Sequence, residues 1–348
     1  MIDYKLHTGP WNLTDLKDIP KNGLKVFSCF HCGGGSTMGY KLAGYDVIGG
    51  VEIDPEMMKI YRVNHNPKHS FLMGVQKFHT IPDDQLPKEL FGLDILDGSP
   101  PCSSFSMAGS REKKWGVKKK FREGQAEQVL DDLFFDFIKV AEKLKPKVVI
   151  AENVKGLIQG NAKGYVKQIY QKFKQAGYDC QLFLLNAAFM GVPQRRERTF
   201  FVARRRDLGL PKIGLKFDEK PIAVKDAFKG LSKCFSKAAT DEQSKWWRLT
   251  KPGEKFSKAH PKGSLFNSIK IHPNKPANTL AASGGAGGLY HHSECRKVSD
   301  DETMRIQSYP DDYNFLQAKS QYICGMSVPP FMTERISNQI YKQWLGSP

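Results

Sequence analysis

Short apolar runs of strand length alternate with segments of helical periodicity over the first 205 residues. Between residues 128 and 144 the apolar positions recur at close to helical spacing. Runs of strand length lie at 24–30, 45–51, 93–97, 147–151, 180–187 and 199–203. Alternation of this kind is typical of α/β proteins with a mostly parallel sheet. We therefore predict an α/β domain built on a Rossmann-like sheet.

The periodicity fades beyond Arg206, where prolines break a lysine-rich stretch into short pieces. A chain of 348 residues accommodates one large domain with a second one inserted or appended. We predict that residues 1–205 together with 321–348 form the main domain, and that residues 206–320 form a smaller, irregular one. An amphipathic helix is expected from about Phe331 to Trp344, with a proline at its start.

The formal net charge of +17 is concentrated in two segments. Residues 111–122 hold seven basic groups and one acidic group, and residues 206–275 hold 16 basic and 7 acidic groups, so that these segments carry 15 of the 17 excess charges. Aromatic residues, among them Trp115, Trp246 and Trp247, lie between the lysines. This pattern favours a nucleic-acid partner, and solvated lysine-rich loops are the alternative.

The cysteines and the hydropathy pattern indicate the cellular compartment in which the protein works. Seven scattered cysteines form no disulfide framework, and the one close pair has no second pair to complete a zinc site. The chain has no apolar run approaching the roughly 18 residues of a membrane span, and no hydrophobic signal core near residue 1. We expect a cytoplasmic protein without a metal ion and without membrane association.

A strand, a glycine loop and a helix follow one another near the beginning of the chain. The loop is His31-Cys32-Gly33-Gly34-Gly35, and the next strand ends at Glu52, where a carboxylate suits the two hydroxyls of a ribose. Met38 stands where the dinucleotide fingerprint requires its third glycine. A cofactor with adenosine but no phosphates, such as S-adenosylmethionine, fits this loop better, although a plain tight turn would also explain the glycines.

Reactive side chains follow two further strands. Cys102 comes after a stiff Gly-Ser-Pro-Pro turn at the end of the run 93–97, and Glu152 directly follows the run 147–151. Because reacting groups of open α/β folds lie at the carboxyl ends of the strands, we expect both on one rim with Glu52. Two alternatives remain: Cys102 as a small buried hydrophobic residue, and Glu152 as the cap of a helix.

Several arginines precede the run 199–203. They surround Glu197 in the segment Gln194-Arg195-Arg196-Glu197-Arg198. Such a cluster is usually solvated, but at the end of a strand a planar guanidinium also binds a phosphate or orients an acid through paired hydrogen bonds.

Taken together and in this order, these segments resemble the motifs of the DNA (cytosine-5)-methyltransferase family. The resemblance spans nearly the whole chain except the first residues and roughly 207–270. Its matches are Phe30-x-x-x-Gly34-Gly35, Pro101-Cys102, Glu152-Asn153-Val154, Gln194-x-Arg196-x-Arg198, residues 296–313 and Gly325-x-Ser327-Val328. The chain departs from the family at Cys32, Ser103 and Met326, and an acidic residue expected near Gly74 to Gln76 is missing.

The resemblance implies an S-adenosylmethionine-dependent methyltransferase fold with a target-recognition domain, of the prokaryotic or phage restriction–modification type. It implies methylation of C5 of a flipped-out cytosine in a specific duplex DNA sequence, through a covalent bond between Cys102 and C6. S-adenosylmethionine is the implied cofactor and S-adenosylhomocysteine its product, with no metal. The loop after Cys102 would close over the flipped base, and the domain from 207 onward would read the major groove.

The resemblance also assigns site residues. The implied catalytic residues are Cys102, Glu152, Arg196 and Arg198. The implied cofactor-binding residues are Phe30, Gly33, Gly34, Gly35, Glu52, Ile53, Pro101, Leu133 and Ser327. The implied DNA-binding residues are Ser103, Ser104, Lys118, Lys119, Lys120, Gln194 and Thr279.

We expect a monomer that acts on double-stranded DNA, with a cognate restriction endonuclease as a possible partner that acts separately. Three alternatives differ in substrate or activity: a tRNA cytosine-5 methyltransferase, a catalytically inactive DNA-binding relative, and an enzyme of free nucleotides. The concentrated charge disfavours free nucleotides, and the intact Cys102, Glu152 and Arg198 argue against an inactive protein. The long lysine-rich segment favours duplex DNA over tRNA.

Overall fold

The structure is a computed structural model. It describes residues 6–101, 118–119, 128–129, 132–159, 163–232, 236, 238–265, 267–282 and 287–346, with backbone only at 118–119, 128–129 and 163.

The described residues form thirteen strands, numbered in chain order. They are β1 (Lys25–Cys29), β2 (Asp46–Glu52), β3 (His69–Leu72), β4 (Ile95–Gly98), β5 (Lys118–Lys119), β6 (Gln128–Val129), β7 (Val148–Val154), β8 (Tyr178–Asn186), β9 (Gln194–Arg195), β10 (Glu197–Arg205), β11 (Ser268–Lys270), β12 (Ala277–Asn278) and β13 (Gly288–Tyr290).

Ten α-helices lie in the same described residues. They are α1 (Gly35–Leu42), α2 (Pro55–His65), α3 (Val75–Phe78), α4 (Leu133–Leu144), α5 (Lys163–Gln175), α6 (Val224–Ala227), α7 (Asp241–Leu249), α8 (Asp300–Ile306), α9 (Ser320–Met326) and α10 (Pro330–Ile340). Local sequence sets several helix ends. Asp54, for example, caps α2 by accepting hydrogen bonds from the amides of Glu56 (2.9 Å) and Met57 (3.3 Å), with a proline in the first position.

A seven-stranded sheet organises the molecule, in the order β3-β2-β1-β4-β7-β10-β8. The first five strands in this order are parallel to their neighbours, whereas β10 runs antiparallel to both β7 and β8. The predicted α/β, Rossmann-like sheet is therefore confirmed. The carboxyl ends of β1, β2, β4 and β7 meet at one edge, and the reversed direction of β10 brings its amino end to that same edge.

Successive side chains of the central strands enter two different cores, because strand residues alternate between the faces of a sheet. Val26 and Ile95 pack in a cluster that also contains Met38 of α1 and Met332 of α10. Their neighbours in sequence, including Phe27 and Leu96, pack in a second cluster with residues of α3, α4 and α5, among them Phe78, Phe137 and Phe173. The sheet thus has helices on both faces, which explains why its strands read as continuous apolar runs.

One helix prediction was wrong at its start, and the prediction of a helix from about Phe331 to Trp344 is confirmed. The apolar period from residue 128 predicted a helix that begins there, but Gln128–Val129 pair with Lys118–Lys119 as an antiparallel ladder, and α4 begins at Leu133. Near the other end of the chain, α10 runs from Pro330 to Ile340, and one π-helical turn, Tyr341–Leu345, carries on to the predicted end.

A small third cluster lies within the predicted recognition domain. Trp246, Phe256 and Tyr290 form its centre. Other residues of the segment 206–320, such as Ile213, Ile271 and Ile306, pack instead on the main core. The domain boundaries stay a prediction. In the described part of the chain, no helix is both long and apolar enough to cross a membrane.

Candidate active site

The acid and one arginine of the predicted site meet at the sheet edge. Glu152 lies near the end of β7 and Arg198 near the start of β10, two strands that pair antiparallel with Arg198 opposite Val154. The Arg198 Nε atom lies 2.9 Å from Oε1 of Glu152, and both side chains are largely buried. Burial lowers the pKa of Arg198, and the charge of Glu152 opposes this effect. The carboxylate is therefore held in one orientation by a fixed cation.

The same edge holds the turn that leads to the expected nucleophile. Nδ2 of Asn153 donates a hydrogen bond to the carbonyl oxygen of Pro100 at 3.0 Å, and the Thr199 hydroxyl donates to the carbonyl oxygen of Asn153 at 3.0 Å. These bonds connect β10, β7 and the turn after β4. Pro101 is partly exposed at the end of this turn. Cys102 itself lies outside the described residues, as do Ser103, Ser104 and Lys120.

Arg196 was expected to be a catalytic residue, but its guanidinium contacts backbone. It is 1% exposed and donates to the carbonyl oxygens of Leu280 (3.2 Å), Gly325 (2.9 Å) and Ser327 (3.0 Å). Burial lowers its pKa to about 9. These contacts join three distant segments of chain beneath the site.

Gln194 was expected to contact DNA and is instead fully buried. Its Nε2 donates to Oε1 of Gln307 at 2.7 Å, and its Oε1 accepts from the amide of Leu280 at 2.9 Å. The short β9–β12 pairing places it inside the protein. Thr279, by contrast, is exposed, and its hydroxyl donates to the carbonyl oxygen of Arg195 at 2.7 Å. Arg195 in β9 and Thr279 directly after β12 are therefore exposed at the protein surface.

The glycine loop between β1 and α1 has an unusual backbone. Phe30, Cys32 and Gly34 have φ angles of 56°, 48° and 82°, a left-handed region that favours glycine. The carbonyl oxygen of Gly33 accepts from Nε2 of His65 at 3.2 Å and from the Tyr313 hydroxyl. Side chains of α2 and of the segment after α8 therefore fix the loop through hydrogen bonds to its backbone.

Residues from the far end of the sequence close against this loop. A Cβ atom on Gly35 would lie 2.3 Å from the carbonyl oxygen of Val328, and one on Gly33 would lie 2.4 Å from the Ile323 side chain. The Ser327 hydroxyl, expected to bind cofactor, accepts from the Tyr309 hydroxyl and donates to the carbonyl oxygen of Ile323, both at 2.8 Å. Glycine is therefore required here by close packing.

Glu52 ends β2 beside the loop. Its carboxylate accepts hydrogen bonds from the backbone amides of Cys32 (3.0 Å), Ile53 (2.8 Å) and Asp54 (2.9 Å). Burial raises its pKa, and the three amides act in the opposite direction. Since two carboxylate oxygens offer about four acceptor positions, this fixed group still has capacity for a ribose hydroxyl. Ile53 is partly exposed next to it.

The remaining expected cofactor residues surround the same edge. Phe30 is partly buried, and its ring centroid lies 6.4 Å from that of Phe137 in α4, the helix that begins with the buried Leu133. After β3, the Oε1 atom of Gln76 is buried without a hydrogen-bond partner. An unpaired buried acceptor suits an amine donor such as that of adenine. The donor set therefore fits an adenosine-containing cofactor.

Two residues of this region were missed in the sequence. One is Gln76, which stands where an acidic residue was expected. The other is Asp97, a buried carboxylate in β4 that accepts hydrogen bonds from Ser28, Ser36 and Tyr40. A charged residue within an otherwise apolar strand was the available signal for Asp97. Among the residues with described side chains, no group of three or more His, Cys, Asp or Glu residues is arranged to hold a metal ion.

Comparison with known proteins identifies the class. A profile of the C-5 cytosine-specific DNA methylase family matches residues 24–342. Because the match covers most of the chain, the protein belongs to this family and is a DNA cytosine-5-methyltransferase. The predicted family and enzyme class are confirmed.

Individual relatives agree with this assignment. The chain is 32% identical to the type II methyltransferase M.FnuDI of Fusobacterium nucleatum, over 91% of this chain and 94% of that protein. It is 26% identical to the type II methyltransferase M.NgoPII of Neisseria gonorrhoeae, over 92% and 96%.

Solved structures share the fold. One, described as a DNA modification methyltransferase encoded within an E. coli prophage, has a TM-score of 0.70 at 20% identity, over 92% of this chain and 99% of the other. The S. pombe Dnmt2 methyltransferase has a TM-score of 0.63 at 15% identity, again over 92% and 99%. At these identities the likeness concerns the fold alone.

Proposed function

We propose that this enzyme transfers a methyl group from S-adenosylmethionine to C5 of a cytosine that has been flipped out of duplex DNA. The observation that carries the proposal is the pairing of Glu152 with Arg198 at 2.9 Å on the edge where Asn153 holds the turn leading to Cys102. A fixed acid beside the approach to a thiol is the arrangement that nucleophilic addition to a pyrimidine requires.

Cytosine C5 is a poor nucleophile. The proposed chemistry activates it by addition to C6, the atom at the other end of the C5–C6 double bond. The Cys102 thiolate adds to C6, so that a sulfur–carbon bond forms and the electron pair of the C5–C6 bond becomes available at C5. Glu152 shares a hydrogen bond with N3, and the proton of this bond moves towards N3 as addition places negative charge on the ring. Arg198 keeps the acid aimed at the base. The target must leave the helix, because neither C6 nor N3 is accessible within a stacked duplex.

S-adenosylmethionine supplies an electrophilic methyl group when bound. In the proposal, Glu52 holds the ribose and the unpaired Oε1 of Gln76 accepts from the adenine amine. After methylation, removal of the C5 proton by a base or by water lets the C6–sulfur bond break, which restores the thiolate and the aromatic ring.

Duplex DNA is the proposed substrate, and several exposed groups support this choice. Arg248, Lys251 and Lys255 are exposed in or shortly after α7, and the cations at positions 111–122 add to the charge close to Cys102 in sequence. Arg195 and Thr279 are exposed on the segment that leads into the site. Cations of this kind contact the phosphate backbone. The names of the relatives support a role in restriction–modification, with a separate nuclease as partner.

The direct test is transfer of a tritiated methyl group from S-adenosylmethionine to duplex DNA, followed by bisulfite sequencing to locate the modified base. Cys102→Ser is expected to abolish transfer and to leave DNA binding largely intact. A duplex with 5-fluorocytosine at the target is expected to form an adduct that survives denaturation, because fluorine cannot leave as a proton does. Transfer to tRNA but not to DNA would replace the proposed substrate, and turnover by Cys102→Ser would remove the thiol from the mechanism.

A further inference from the structure

Asp97 is a buried carboxylate that the proposed chemistry does not use. It lies in β4, is 5% exposed, and accepts hydrogen bonds at Oδ2 from the hydroxyls of Ser28 and Ser36, both at 2.7 Å. Its Oδ1 accepts from the Tyr40 hydroxyl at 3.2 Å. In the described chain no lysine or arginine forms an ion pair with it. Three hydroxyl donors from two other elements thus surround one carboxylate.

These three donors belong to the cofactor side of the site. Ser28 lies on β1, directly opposite Asp97 in the parallel pairing, and leads into the glycine loop. Ser36 lies in the first turn of α1, immediately after Gly35, and Tyr40 follows one turn later. Because side chains two residues apart on a strand share a face, Asp97 points to the same side of the sheet as Ile95, towards α1. The carboxylate therefore anchors the glycine loop from both of its ends.

The backbone that follows Asp97 leads to the turn before the proposed nucleophile, Cys102. Gly98 packs closely against the Phe137 ring, where an added Cβ atom would lie 2.4 Å from a ring carbon. Two residues further on, the Pro100 carbonyl oxygen accepts from Asn153. The strand at Asp97 therefore leads, through tightly packed backbone, into the turn that precedes Cys102.

The ionisation of Asp97 changes this arrangement. Burial raises its pKa to about 6, the three hydroxyls oppose the rise, and the charge of Glu152 on β7 adds to it. Cys29, Tyr40 and Tyr61 are the other titratable groups whose own ionisation is disfavoured by the charge of Asp97. The ionised carboxylate accepts from all three hydroxyls. The neutral acid carries no charge and bears a proton on one oxygen, so that it accepts the hydroxyl hydrogen bonds more weakly.

We propose that Asp97 is a positioning residue whose hydrogen bonds hold the glycine loop of the cofactor site against the strand that leads to the nucleophile. These bonds hold the loop most firmly when the carboxylate is ionised. The inference rests on the proposed function, because it requires the cofactor to bind at that loop. It adds an electrostatic link between the glycine loop of the cofactor site and the turn that precedes Cys102.

The test compares the wild type with Asp97→Asn by calorimetric titration of S-adenosylhomocysteine between pH 5 and pH 8. At pH 8 we expect about tenfold weaker binding by the variant, the effect of losing a hydrogen bond to a charged group. At pH 5 both side chains are neutral, so the ratio of the two affinities falls towards one. Using the ratio removes the contribution of Glu52, whose pKa is also raised by burial and which is present in both proteins.

Two further variants separate positioning from a purely structural role. Tyr40→Phe removes one donor, which is expected to move the midpoint of the affinity profile to higher pH. Asp94→Asn is the matched control: Asp94 is also buried beside β4, but it bonds the Lys25 amide (2.7 Å) and Lys147 (2.8 Å) at the opposite end of the strand. Its profile should coincide with that of the wild type.

Thermal unfolding without cofactor gives an independent readout. A carboxyl group whose pKa is raised by folding stabilises the native state at low pH, and this contribution is lost as the pH rises through the folded pKa. Asp97→Asn should therefore melt at or above the wild-type temperature at pH 8, while binding cofactor less tightly. A ratio of affinities that does not change with pH, or a variant that loses stability and affinity together at pH 8, would overturn the proposal. Failure of the wild type to bind S-adenosylhomocysteine at any pH would instead refute the proposed function.

Discussion

The side-chain amide of Asn153 donates a 3.0 Å hydrogen bond to the backbone carbonyl of Pro100. Asn153 directly follows Glu152, and Pro100 precedes Cys102 by two residues. A single bond therefore fixes the acid strand relative to the turn before the thiol, which is the spatial relationship on which the proposed chemistry depends.

Replacement of the acid tests its role in that chemistry. Glu152→Gln keeps the shape of the side chain but cannot transfer a proton, so we expect turnover to fall about 100- to 10,000-fold with unchanged DNA affinity. Single-turnover methylation measures this effect. Glu197→Gln is the control, because Glu197 is a partly exposed glutamate on the same edge that pairs with Lys155 at 2.9 Å. Its turnover should stay close to wild type, and equal reductions in the two variants would contradict the assignment.

The two buried arginines are expected to differ in what their replacement damages. Arg196→Met leaves three carbonyl oxygens without their donor, so the free energy of unfolding should fall by about 2–4 kcal/mol. Arg198→Met removes the partner of Glu152 and should lower turnover with a smaller decrease in stability. Urea denaturation and methylation assays on both variants provide the comparison. The opposite ranking in stability would show that Arg196 is not the structural member of the pair.

Close packing at the glycine loop predicts that one added methyl group at Gly35 lowers the stability of the protein. Gly35→Ala would place Cβ 2.3 Å from the Val328 carbonyl oxygen, so we expect a decrease of about 1–3 kcal/mol in stability together with weaker cofactor binding. Gly92→Ala is the control, since nothing lies within 4 Å of its added Cβ atom. Denaturation and calorimetry on both variants measure these effects. A neutral Gly35→Ala would mean that the loop and the segment at Val328 separate readily.

The unpaired oxygen of Gln76 predicts how the protein selects its cofactor. S-inosylhomocysteine carries an oxygen where adenine carries its amine, and we expect it to bind about tenfold more weakly than S-adenosylhomocysteine. Gln76→Leu should reduce this preference, whereas Gln171→Leu on the exposed side of α5 should preserve it. Competitive binding of the two ligands gives the ratio. An unaltered preference in Gln76→Leu would assign the adenine amine to another residue.

The lysines of the predicted closing loop are expected to bind phosphates. Replacing Lys118, Lys119 and Lys120 with Gln should reduce the slope of log affinity against log salt by about 0.9 for each phosphate that the variant no longer neutralises. Replacing the exposed Lys167, Lys172 and Lys174 of α5 changes the net charge by the same amount and should leave the slope unaltered. Identical slopes for the two triple variants would show that the loop acts only through the overall charge.

The sequence predicted those features that depend on local pattern. The strand, glycine loop and helix around Gly33–Gly35 are present, and the residues expected at the carboxyl ends of β2 and β7 do lie on one edge of the sheet. Glu152 and Arg198 could be predicted together because the motif of Glu152 ends β7 and the motif of Arg198 begins β10, the antiparallel neighbour of β7.

The features that the sequence did not predict depend on contacts between distant segments. Nothing in the local pattern distinguishes Arg196 from Arg198, and the difference arises because the backbone at residues 280, 325 and 327 folds around only one of them. Gln194 is buried for a similar reason, since its partner Gln307 lies more than a hundred positions away. Asp97 was missed because its hydroxyl partners come from two other elements.

The contact of α1 with α10 has a consequence for biosynthesis. The Tyr45 hydroxyl, one residue before β2, donates to the carbonyl oxygen of Ser337 across 292 positions of sequence, and Gly39 packs against Pro330 and Thr333. On a nascent chain, the face of α1 that packs against α10 therefore stays uncovered until α10 emerges from the ribosome. We therefore expect a product that terminates before α10 to be less stable than the full chain and more readily bound by chaperones or degraded by proteases.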